Sequence, residues 1–146
     1  MKTKLIFFSI LSFCLAVQIF AKPANKDSGS LQLIKDIQLN LEKEFYSLVI
    51  ANVNQLEEKY PNSRFMEQAN RCKLEALYFL GRKNEAKNLM EDLKFHEDVA
   101  YFKGRIFFDE ENYEVALTNF FESAKFHNKK SERYFSSLYF SAKSYI

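Results

Sequence analysis

From Leu31 onward, apolar residues recur at helical spacing, with no sustained strand-type alternation. Phe65, Ala69, Cys72, Ala76, Phe79 and Leu80 stand at offsets of 4, 7, 11, 14 and 15 from the first. Phe45, Leu48, Val49, Val53, Leu56 and Tyr60 stand at 3, 4, 8, 11 and 15. Phe135, Leu138, Tyr139, Ala142 and Ile146 give 3, 4, 7 and 11. Each set marks one face of a 3.6-residue helix. Pro23 and Pro61 both fall outside these runs, so no predicted helix carries an interior proline. Pro61-Asn62-Ser63 ends one helix and offers Ser63 as a cap for the next. Gly81-Arg82-Lys83-Asn84 and Asp109-Glu110-Glu111-Asn112 separate further pairs. The pattern predicts an all-α fold of about seven helices joined by short turns.

The helices repeat in pairs. Glu91-Asp92-Leu93-Lys94-Phe95-His96 recurs as Glu122-Ser123-Ala124-Lys125-Phe126-His127, thirty-one residues later. Helix pairs are set at 31–63, 64–96 and 97–130, and a lone helix occupies 131–146 as a partial fourth unit. In the third unit Gly104 is followed by Phe107, Tyr113, Ala116 and Phe120. On these residues the chain resembles the tetratricopeptide repeat (TPR) family, built from a 34-residue helix–turn–helix unit. The closing Tyr60-Pro61-Asn62-Ser63 is similar to repeats of bacterial envelope proteins, such as the outer-membrane assembly lipoprotein and the periplasmic cell-division coordinators. The middle unit keeps Ala86 and Met90 but has Leu74 where the family carries a small residue. The resemblance implies a right-handed superhelical array of antiparallel helix pairs, a TPR-like α-solenoid. A glycine inside a helix costs roughly 1 kcal/mol relative to alanine. Gly104 therefore marks the close approach of a neighbouring helix, with Ala116 serving the same contact and Phe107 and Phe120 filling the space beside it.

The first twenty-one residues follow a different pattern. Lys2 and Lys4 precede an apolar stretch from Leu5 to Ala21, broken only by Ser9, Ser12 and Gln18. That is the layout of a secretory signal, with cleavage after Ala21 and a polar linker over 22–30. Leu11-Ser12-Phe13-Cys14 offers a second reading as a lipoprotein signal, though Phe13 is bulky where a small residue belongs. An uncleaved anchor is the third, at the short end of the spanning range of roughly 17–25 residues. Localisation is thus expected to be exported, periplasmic or outer-membrane-associated, with membrane association through the N-terminus open.

Composition narrows the function classes. The 146 residues are 47% hydrophobic and 27% charged, which excludes a disordered tail. Three Gly and two Pro argue against a many-stranded β sandwich. The signal holds two lysines and no acid, so the rest has 19 basic and 19 acidic residues and no formal net charge. Without a basic stripe there is no footprint for nucleic acid. Once Cys14 leaves with the signal, Cys72 is alone and reads as a small buried hydrophobe.

No catalytic, cofactor or metal constellation emerges. His96 and His127 occupy equivalent helix ends, and neither has a second histidine or glutamate at ligand spacing. The acidic run from Asp109 to Glu114 lacks the central glycine of a calcium loop. Glu122-Ser123 resembles the catalytic pair of lytic transglycosylases, but the segment that follows it in that family is missing. The sequence therefore predicts a non-catalytic scaffold binding other envelope proteins or their peptide segments. The alternatives are a superhelical or regulatory part of a peptidoglycan-processing enzyme, or a structural module that forms homo-oligomers. In TPR arrays the first helix of each pair lines a concave groove. Position by position, the resemblance assigns partner binding here to Arg71, Glu75 and Tyr78, and to Tyr101, Arg105 and Phe108. Arg71 and Arg105, one period of 34 residues apart, are expected to project in parallel. The helix from 131 lacks a partner and carries Tyr134, Tyr139, Phe140 and Tyr145, so either the chain continues or this helix is covered.

Overall fold

The computed structural model describes residues 26–145. The signal segment 1–21 with its cleavage site and Cys14, residues 22–25 of the expected linker, and Ile146 lie outside them. The described residues form seven α-helices and no strand. These are α1 (Lys26–Glu42), α2 (Tyr46–Lys59), α3 (Met66–Phe79), α4 (Lys83–Asp92), α5 (Glu97–Asp109), α6 (Tyr113–Phe126) and α7 (Glu132–Lys143).

The turns that close α1, α3 and α5 share one design. Each spans three residues, and the middle one is left-handed: Glu44 at φ 59°, Gly81 at 72° and Glu111 at 62°. Phe45 N–H donates to Asn40 O, Arg82 N–H to Leu77 O and Asn112 N–H to Phe107 O, at 2.8, 2.9 and 2.9 Å. A second bond runs from each left-handed residue to the carbonyl three back, at 3.0, 2.9 and 3.0 Å. This paired closure satisfies the orphan carbonyls of a helix end and folds the next helix back on its predecessor.

The helices form two rows. Each packs on the next in sequence, and α1, α3, α5 and α7 also touch one another in succession. Among the even-numbered helices no such contact exists. A continuous core runs between the rows, with Ile34, Ile37, Val53, Leu56, Leu74, Leu77, Phe102, Ile106 and Phe120 buried. At Gly104 a Cβ would lie 2.7 Å from the Phe120 ring, so α5 and α6 approach here because the side chain is missing.

Four sequence expectations change. The linker over 22–30 gives way to helix at Lys26, because Ser30, Ile34 and Ile37 form one buried face of α1. Ser63 does not cap α3 itself; its Oγ accepts at 3.2 Å from the N–H of Phe65, the residue just before the helix begins. In α2 and α3 only part of each stripe is inside: Val49, Val53, Leu56, Ala69 and Ala76 are buried, whereas Phe45, Leu48, Phe79 and Leu80 are exposed. The α7 stripe faces outward, with Phe135 and Tyr139 nearly 60% exposed at 59% and 58%. The opposite face of α7 is inside, where Ser137 Oγ donates to Ser123 Oγ at 3.1 Å and Ser141 Oγ to Ser137 O at 2.8 Å. Satisfied hydroxyls let these small residues bury, and α7 settles closely on α6.

Candidate partner-binding cleft

Where the odd-numbered helices share a face, a cleft of about 290 Å³ opens. It draws on distant parts of the chain. The end of α1 and its turn supply Leu41, Glu42 and Glu44, and Tyr46 opens α2. Glu75 and Phe79 come from α3, one helical turn apart; Tyr101 comes from α5; and Glu132, Arg133 and Ser136 come from α7. The left-handed backbone at Glu44 turns the chain sharply enough to place Tyr46 beside Phe79. Their rings stack at 5.1 Å, tilted by 16°. A smaller hollow of about 170 Å³ adjoins the cleft, sharing Leu41 and Glu75 and adding Gln68, Arg71, Cys72 and Asp98.

Arg133 organises the far wall. Its Nη2 donates to Glu75 Oε2 at 2.6 Å, and its Nε lies 3.3 Å from Asp98 Oδ1. The guanidinium also covers the Phe102 and Tyr101 rings at 4.6 and 5.0 Å. One side chain of α7 thus ties α3 to α5. Burial raises the Glu75 carboxyl above its ordinary value, although Arg133 opposes the shift. Burial, with Glu75 close by, pushes the Cys72 thiol up to about 11, as befits a packed rather than a reactive cysteine.

The six residues assigned from the sequence separate into two groups. Glu75 and Tyr101 line the cleft, and Arg71 lines the adjoining hollow, 3.5 Å from Glu67. Tyr78, Arg105 and Phe108 are instead packed into the contact between α3, α5 and α7. Arg105 Nη1 donates to Tyr101 Oη at 2.9 Å, and its guanidinium lies 4.3 Å from the Phe140 ring and 5.0 Å from Tyr78. Tyr78 Oη donates to Asp109 at 3.2 Å, and burial pushes its hydroxyl up to about 12. Phe108 meets Phe140 edge-on at 5.3 Å. The two arginines one period apart therefore have different surroundings, one facing a hollow and the other enclosed by rings.

The cleft residues that sequence reasoning passed over are Leu41, Glu42, Glu44, Tyr46, Phe79, Glu132, Arg133 and Ser136. Phe79 was readable only as part of an apolar stripe. The contributions of α7 follow once 131–146 is treated as another first helix, since its residues then fall in the same row. Ser123, half of the transglycosylase-like pair, is fully buried at the α6–α7 contact. Among the described residues, no group of three or more His, Cys, Asp or Glu could hold a metal ion. Nor is any helix among them long and apolar enough to cross a membrane. No family model, curated protein or solved structure gives a significant match to this chain.

Proposed function

We propose that this protein is an exported, non-catalytic, TPR-like scaffold of the bacterial cell envelope that binds a protein segment in the cleft of its odd-numbered helices. The observation that carries this reading is the cleft itself. Glu42, Glu44, Tyr46, Phe79 and Ser136 converge there from four separate elements, and Phe79 remains 49% exposed despite being a large aromatic ring. A partially exposed aromatic floor with a polar rim is the composition of an interaction surface. The basic, apolar and small-residue sequence of 1–21 supports export, and the row of first helices supports the repeat-scaffold reading.

The test joins processing to binding. The mature chain recovered from the cell envelope is expected to begin at Lys22, as read by mass spectrometry. Crosslinking and tagged purification are expected to return a defined partner with the natural chain and to lose it with Ser136→Trp, which fills the cleft. An unprocessed cytoplasmic chain, or unchanged capture by the filled cleft, overturns the proposal.

A second reading, a module that assembles with itself, rests on the outward row of Phe135, Leu138 and Tyr139 on α7. Sedimentation decides it: a stable dimer dispersed by Tyr139→Glu supports it, and a monomer at all concentrations removes it.

A further inference from the structure

We infer that the cleft recognises a basic segment of its protein partner, seating a lysine or arginine side chain on the Tyr46–Phe79 floor between Glu42, Glu44 and Glu132. The inference rests on the reading of the cleft as a partner-binding site and adds the chemistry of what it accepts.

Four carboxylates line the cleft, against the single guanidinium of Arg133. Arg133 is held by Glu75 and Asp98, so among the four it offsets Glu75 and leaves Glu42, Glu44 and Glu132 uncompensated. Glu42, Glu44 and Glu132 form no ion pair among the described residues. They come from the end of α1, its left-handed turn and the start of α7, so the negative rim arises from folding and not from an acidic run in the sequence. Lys43 stands between the first two in sequence but does not line the cleft.

Shape and floor agree with the charge. Stacked aromatic faces attract a cation, and carboxylates around them supply charge-assisted hydrogen bonds to an ammonium or guanidinium. A volume of about 290 Å³ is at or just below the small end of ligand pockets, roughly 300–1,000 Å³, and suits side chains rather than a cofactor. An acidic or phosphorylated segment meets like charge on three sides and is rejected. The Tyr46 hydroxyl reports the same field: its pKa is raised by burial and then by Glu44 and Glu75.

Fluorescence anisotropy tests this with the full chain and two labelled short peptides, one alternating Lys with Ala and one alternating Glu with Ala. At low salt the Lys peptide is expected to bind at least tenfold more tightly than the Glu peptide, with the difference shrinking as salt rises. Glu42→Lys/Glu44→Lys/Glu132→Lys is expected to weaken Lys-peptide binding at least tenfold, and Phe79→Leu about threefold. A control of equal charge, Glu57→Lys/Glu58→Lys/Glu111→Lys, is expected to change it less than twofold. Equal affinity for both peptides, or equal loss in the control, overturns the inference. So does self-association that needs the cleft while the Lys peptide fails to bind, which would make a second copy the occupant. If the peptides fail but partner capture in cells still depends on Ser136, the scaffold reading stands and only the basic ligand is wrong.

Discussion

Replacing Arg133 with methionine removes the charge that joins α7 to α3 and α5 while leaving most of the aliphatic stem. The side chains of Arg133 and Glu75 are 28% and 20% exposed, between a surface pair and a fully buried one. Breaking a buried pair costs about 3–5 kcal/mol, and an exposed one contributes about 1 or less. At this burial the expected loss is about 2 kcal/mol, or a fall in Tm of roughly 5–12 °C for a chain of this size. The pH dependence follows from Glu75. Its folded pKa is raised above the ordinary 4.5, so stability from this group is full below that value and is lost as pH rises through the folded pKa. Arg133 is what holds that pKa down, so its removal raises it further and deepens the loss toward neutrality. The deficit of Arg133→Met should therefore be largest at pH 7 and smaller at pH 5, and Glu75→Gln in the same chain should recover about half of it. Urea unfolding followed by circular dichroism at the helical minimum measures all three quantities. A loss under 0.5 kcal/mol, or a deficit independent of pH, refutes the idea that Arg133 bridges the row.

Two further perturbations probe the packing around the cleft. Gly104→Ala gains about 1 kcal/mol of helix propensity but drives a methyl into Phe120, an overpacking cost of roughly 1–3 kcal/mol, so it should destabilise by about 1. In a Phe120→Leu background the same change should turn neutral or stabilising; unfolding curves that keep the same sign in both backgrounds contradict the close approach. With Cys14→Ser in place, a thiol-specific reagent at pH 8 should modify Cys72 roughly a hundredfold more slowly than a free cysteine of ordinary pKa. Cys72 is half-buried, and reaction at the free-cysteine rate would mean that its neighbours neither shield it nor raise its pKa.

How much the sequence reveals differs from element to element. The helices and the breaks at Pro61, Gly81 and Asn112 are legible because each rests on a local rule of spacing or turn chemistry. The turn at Lys43-Glu44-Phe45 carries no Gly, Pro or Asn, and the left-handed Glu44 is held by two backbone hydrogen bonds that composition does not announce. The face of α7 is misread for a related reason. Periodicity counts apolar residues, whereas the buried face is built on Ser137 and Ser141, whose hydroxyls are satisfied within the fold. At the cleft, Glu75 and Tyr101 were recoverable from the first-helix rule. Arg105 obeys the same rule but is enclosed by Tyr78, Tyr101 and Phe140, and an enclosure made by three helices cannot be read from a period.

The central claim is that partners meet the odd-numbered helices, and site-specific photocrosslinking in living cells tests it most directly. A photoreactive residue at Glu42 or at Ser136 should yield the same discrete crosslinked partner. The same residue at Glu57 or Glu58, on the exposed side of α2, should yield none. Crosslinks of equal strength from α2, or none from either cleft position while α2 gives a partner, would contradict the account.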